Sequence, residues 1–140
     1  MIKLSRMSDY AVVVLETLSR DGTASLSASQ IATASGLPEP TVSKVLKLMA
    51  GGGLVSSQRG ALGGYTLVGA PETITVFQIV SAIEGRLGLT ACVDGGDEPC
   101  ALEAHCAMSG RWDVVNEAVR KAFEGITLAQ LISADSKKVA

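Results

Sequence analysis

Across residues 27–68 two short apolar-periodic segments flank Gly36-Leu37-Pro38-Glu39-Pro40, and two β-type runs then flank a glycine-rich loop; this order restricts the fold more than any other feature of the chain. Ser27 followed by Gln30 is a capping-box pattern, and Ile31 with the small Ala28, Ala32 and Ala34 suits a short, closely packed helix that stops at Gly36. Pro38 and Pro40 suit a turn entering a helix, with Pro40 near the first helical position. Val42, Val45, Leu46 and Met49 then recur at i, i+3, i+4 and i+7, leaving Thr41, Ser43, Lys44 and Lys47 on the other surfaces, so one side is core and the other polar and basic. Gly51-Gly52-Gly53 ends that helix. Leu54-Val55-Ser56-Ser57 and Tyr65-Thr66-Leu67-Val68 read as two short strands joined by a loop over 58–64.

Short helix, turn, polar-faced helix and glycine-rich hairpin are the outline of a winged helix-turn-helix. The expected fold is therefore mainly α with a small β-hairpin, carrying a DNA-binding unit over 1–70. A helix is narrow enough to enter a major groove of double-stranded DNA, where Thr41, Ser43, Lys44 and Lys47 would reach bases or phosphates. Ser57, Arg59 and Gly60 on the hairpin would meet the minor groove or backbone, the loop glycines permitting close approach and positive φ. The other use of such a scaffold is protein contact, with Arg59 simply solvating a loop. Net charge is -2, yet over 1–70 Lys3, Arg6, Arg20, Lys44, Lys47 and Arg59 outnumber Asp9, Glu16, Asp21 and Glu39, while acids dominate the rest. Local field governs approach to phosphate, which makes the basic half the candidate contact surface. An enzyme fits poorly: the chain has 1 His, no GxSxG or HExxH motif, and its glycine-rich loop lies in a hairpin rather than between a strand and a helix.

Before this region, a helix is expected over 8–19, with Tyr10, Val13, Val14 and Leu18 on one face and Asp21-Gly22 as its stop. After it, residues 71–132 change character. Thr75 with Gln78 caps a helix bearing Val76, Ile79, Val80 and Ile83 and ending at Gly85. Residues 86–110 are rich in glycine, proline and acids, including Asp94, Asp97, Glu98 and Glu103; a loop this long in a compact domain suggests function or organisation by a ligand. A last long helix is expected over 109–123. Its stripe of Trp112, Val115, Val119, Ala122 and Phe123 would pack on its own domain or dimerise about a two-fold axis. Leu128, Leu131 and Ile132 form a final apolar turn, and 133–140 reads as a flexible tail. The longest aliphatic run, Ala11-Val12-Val13-Val14-Leu15, falls far short of the roughly 20 residues that cross a bilayer, and no secretory pattern opens the chain, so a cytoplasmic location is expected, with no membrane partner.

The 3 cysteines, Cys92, Cys100 and Cys106, fall in the long loop. An odd count argues against a disulfide framework, and the spacing matches neither paired C-x2-C zinc knuckles nor the C-x2-C-x2-C ferredoxin run. An iron–sulfur cluster, zinc, thiol redox sensing and unliganded thiols all stay open. His105 beside Cys106 is a solvent-facing residue, a ligand, or a donor to a ligand. Met108 reads as a packing residue.

Met7-Ser8-Asp9-Tyr10-Ala11, Leu54-Val55-Ser56-Ser57, the run from Arg59-Gly60-Ala61-Leu62-Gly63-Gly64 into Tyr65-Thr66-Leu67, Ile79-Val80-Ser81-Ala82-Ile83-Glu84-Gly85, and three cysteines before a Trp-bearing helix together resemble the Rrf2 family of winged-helix transcription regulators. Within that family the chain is similar to the regulators of iron–sulfur cluster assembly. The resemblance spans about 1–132 and implies a homodimer on a palindromic promoter site, sensing a [2Fe–2S] or [4Fe–4S] cluster on Cys92, Cys100 and Cys106. One branch takes a fourth ligand from a His three residues after the last Cys, where this chain has Ser109. Another takes an acidic residue from the partner's first helix, a place held here by Asp9, which otherwise simply favours a helix N-terminus. The implied function is repression of cluster-assembly genes. A nitric-oxide or thiol-redox responsive repressor of the same family is the alternative.

Overall fold

In the computed structural model, residues 2–20, 22, 24–93, 96 and 98–134 are described. The first helix, α1, spans Arg6–Arg20. Ser27 Oγ accepts the Gln30 amide at 3.1 Å while the Gln30 side chain accepts the Ser27 amide at 2.8 Å, and this reciprocal cap starts α2 at Ala28–Ser35, which ends on Gly36 at φ 76°. With Pro40 in its first turn, α3 runs over Glu39–Gly51. Strand β1 (Val55–Gln58) pairs antiparallel with β2 (Gly64–Leu67), Val55 facing Leu67. A second reciprocal cap, Thr75 with Gln78, opens α4 at Val76–Glu84. Helix α5 covers Asp113–Glu124, and a third such cap, Thr127 with Gln130, opens α6 at Leu128–Ser133.

The core gathers where α1, α2, α3 and α4 meet. Ala11, Val14, Leu15 and Leu18 of α1, Ile31 of α2, Val42, Val45, Leu46 and Met49 of α3, and Ile79 of α4 are buried there, joined by Leu128 of α6. Each Val, Leu, Ile or Met side chain among them contributes about 1.5–3 kcal/mol on full burial. The stripe on α1 is Ala11, Val14, Leu15 and Leu18, whereas the expected stripe ran through Tyr10 and Val13, both only half-buried. In a run as uniformly aliphatic as 11–15 every rotation of the helix presents apolar groups, so the pattern alone does not set which of them face inward.

Chain return closes the core. The Leu128 amide donates to the Ile74 carbonyl at 2.7 Å and the Val76 amide to the Ile126 carbonyl at 2.8 Å, which draws the start of α6 against the start of α4. Helix α5, which leads into this return, packs on α4. It begins later than the expected position 109: Gly110 has φ 72°, and separate turns from Cys106 to Ser109, Met108 to Arg111 and Gly110 to Asp113 carry the chain to α5. The expected tail over 133–140 lies outside the described residues from 135 on, as do Asp21, Asp94 and Asp97.

Candidate nucleic-acid interface and sensor loop

On α3 the four core residues leave Ser43, Lys44 and Lys47 fully on the outer surface and Thr41 half-buried. Ser57, Arg59 and Gly60 are exposed on the hairpin. The hairpin is anchored to the helical body by Leu26 and Tyr65, whose backbones exchange hydrogen bonds of 3.0 and 2.7 Å. Its tip is closed by the Gly63 amide donating to the Gly60 carbonyl at 3.0 Å. Glycine is required at its base, since a Cβ on Gly64 would stand 2.6 Å from the Leu26 carbonyl oxygen. None of the ion pairs among the described residues uses Lys44, Lys47 or Arg59. A polar helix face and a rigid wing therefore present cations not engaged in an ion pair on the same lobe.

Between Gly85 (φ 84°) and Trp112 the described residues form turns, bends and one short 3-10 segment, with neither an α-helix nor a strand. Buried Asn116 ties the stem of this loop to α5: it donates to the Leu87 carbonyl and accepts the Leu89 amide, both at 3.1 Å. Val93, 6% exposed, anchors the next turn, in which the Gly96 amide donates to its carbonyl at 2.9 Å. Cys92, Cys100 and Cys106 are free thiols, each half-buried, and Cys92 Sγ lies 3.4 Å from Thr90 Oγ1. The Cys100 carbonyl starts the short 3-10 turn Glu103–His105, on which His105 is exposed. Asp9 is exposed in the first turn of α1.

Three thiols have the right donor chemistry for an iron–sulfur cluster, but among the described residues no three His, Cys, Asp or Glu side chains converge as a metal-binding group. Composition revealed the donors; the spacing of a glycine-rich loop left their convergence undefined.

The sequence reading passed over Glu84. Its Oε1 accepts the Ser5 amide at 2.9 Å and the Ser8 hydroxyl at 2.6 Å, so the last residue of α4 caps the N-terminus of α1. The Ser5 side chain, then the Ser8 hydroxyl, hold its carboxyl below the ordinary glutamate value of 4.5, with burial opposing and the Ser5 amide assisting. A depressed carboxylate adds stability above the unfolded-state value, and that contribution is lost as pH falls through the lower folded-state value. Glu84→Gln is therefore expected to lower the urea midpoint at neutral pH, and the gap from the native chain closes as acidification takes the solution below the folded-state value of Glu84.

A helix-turn-helix with an exposed polar and basic second helix, followed by a clamped two-stranded wing, defines a winged-helix DNA-binding transcriptional regulator rather than an enzyme. Residues 4–134 match the Rrf2 family of iron-dependent transcriptional regulators, and the chain belongs to that family. It is 28% identical over 140 residues to the transcriptional repressor NsrR of Streptomyces coelicolor, covering 99% of this chain and 93% of that protein. The solved structure of CymR, the global cysteine regulator of B. subtilis, superposes with a TM-score of 0.69 at 26% identity, covering 95% of this chain and 98% of that one. IscR of T. potens superposes at 0.65 with 28% identity, covering 94% of this chain and 86% of that one. Among the described residues no helix is long and apolar enough to cross a membrane.

Proposed function

We propose that this chain is a thiol-redox responsive repressor: Thr41, Ser43, Lys44, Lys47, Ser57, Arg59 and Gly60 contact double-stranded DNA, and Cys92, Cys100 and Cys106 set the affinity. The observation that carries this reading is that the three thiols are free and half-buried on one loop that is bonded directly to the helical body. Likeness to a cysteine regulator and to a repressor supports it. Residues 1–70 act as the DNA-binding unit and 71–132 as sensor loop and dimerisation segment. Helix α5 leaves Val114 78%, Val115 42% and the adjoining Trp112 44% exposed, and a second copy covers that stripe. Dimerisation then sets two copies of α3 about one helical turn of DNA apart, near 34 Å.

The switching step balances with a peroxide as oxidant. Two cysteine S–H bonds and the peroxide O–O bond break, one S–S bond forms, and two waters leave. The third thiol stays reduced.

Anaerobic purification followed by iron and sulfide quantification, with mass spectrometry before and after hydrogen peroxide, tests the assignment. The thiol reading expects iron-free protein that loses two hydrogens per disulfide. Stoichiometric iron and sulfide, lost in Cys92→Ala, Cys100→Ala, Cys106→Ala and Asp9→Ala, would overturn it in favour of a cluster-sensing repressor of cluster-assembly genes. The IscR likeness supports that second reading.

A further inference from the structure

Glu84 joins the junction of α4 and the loop to the N-terminus of α1, which lies far from it in sequence. It is the last residue of α4, it stands immediately before the loop, and its carboxylate reaches 79 residues back along the chain to the Ser5 amide and 76 back to the Ser8 hydroxyl. Ser8 is only 2% exposed, and no acceptor for its hydroxyl other than Glu84 is found among the described residues. If the carboxylate withdraws, that hydroxyl is stranded in the protein interior and α1 loses a cap, two costs incurred together. The contact therefore favours two arrangements, made or broken, over a graded series.

What would move it is the loop stem. Leu87 and Leu89 are bonded to Asn116, and Thr90 contacts Cys92. The same stem lines a groove of about 580 Å³ with Ile2, Lys3 and Leu4, the residues that lead into Ser5. A displacement starting at Cys92 thus meets the N-terminus of α1 both along the groove and through Glu84. Helix α1 packs directly on α3.

We infer that Glu84 is the positioning residue through which the cysteine loop sets the attitude of α1, and through α1 that of the DNA-reading helix α3. The inference rests on the thiol-responsive function proposed above. It makes Glu84 a carrier of the response, with no contact to DNA or to sulfur.

The test is the ratio of duplex affinities between reduced and peroxide-oxidised protein, measured on full-length native chain, Glu84→Ala, Glu84→Gln and Ser8→Ala with a duplex selected by the native protein from random sequence. Thermal unfolding of every variant is recorded alongside. The native ratio is expected at about tenfold. Glu84→Ala brings it to near one, Ser8→Ala reduces it while leaving the carboxylate in place, and Glu84→Gln, which keeps an accepting oxygen, retains most of it. A merely structural role would lower melting temperature and both affinities together and leave the ratio intact; that outcome overturns the inference. So does a native response that Glu84→Ala and Ser8→Ala both keep. A native chain with no response overturns the thiol-responsive function as well, which separates the two failures.

Discussion

The combined replacement Lys44→Ala, Lys47→Ala and Arg59→Ala is expected to lower duplex affinity by roughly 10²–10³-fold at moderate salt and, with both copies of the dimer losing all three cations, to flatten the logarithmic salt slope by about 5. All three cations are exposed and absent from the intramolecular ion pairs of the described residues, so their charge is available to phosphate. Each phosphate neutralised releases condensed counterion, which is why the slope reports the number of contacts and the intercept their strength. Fluorescence anisotropy over a salt series measures both. Circular dichroism of the variant should match the native chain, because none of the three side chains enters the core. An unchanged slope would remove α3 and the wing from the DNA interface.

Leu46→Ala has the largest expected effect on stability. Leu46 is fully buried at the middle of α3, the helix that packs against α1, α2, α4 and β1. Removing its side-chain atoms forfeits their transfer free energy and leaves a cavity that four neighbouring elements cannot all close, a loss of about 2–5 kcal/mol. Its neighbour Lys47 is exposed, and Lys47→Ala should change stability by less than about 0.5 kcal/mol. Urea unfolding separates the two: the Leu46 variant shifts the midpoint with unchanged slope. Adjacent positions on one helix thus divide cleanly between holding the fold and facing solvent.

The helix-turn-helix and wing were legible because their signals are local. Ser27 with Gln30, Gly36, Pro40 and the four apolar positions of α3 are each decided within a few residues, and the structure places them as expected. The strands match with shifts of about one residue. The rotation of α1 was not legible, since five consecutive aliphatic residues offer no contrast. Nor was the start of α5, where Gly110 and successive turns interrupt an apolar pattern that continues through Trp112.

The candidate site divides along the same line. Exposed Lys44, Lys47 and Arg59 follow from periodicity and from a hairpin loop. Glu84 and Asn116 act across long sequence separations, and nothing in the residues around them announces a partner. The cysteines sit between these cases: a run of residues displays how many thiols there are, whereas their convergence depends on how a loop of turns is folded. A resemblance to cluster-binding regulators supplied a ligand set that draws Asp9 from a partner's first helix, which no pattern within one chain could display.

Control of DNA affinity by the cysteine loop is tested by one pair of binding curves. Affinity for the selected duplex is measured by anisotropy at fixed salt, first under full reduction and then after hydrogen peroxide, for the native chain and for the variant carrying Cys92→Ser, Cys100→Ser and Cys106→Ser. The expected difference is roughly 5–150-fold in the native chain and none in the variant. Equal affinities in the two states of the native chain, with disulfide formation verified by mass, would contradict it.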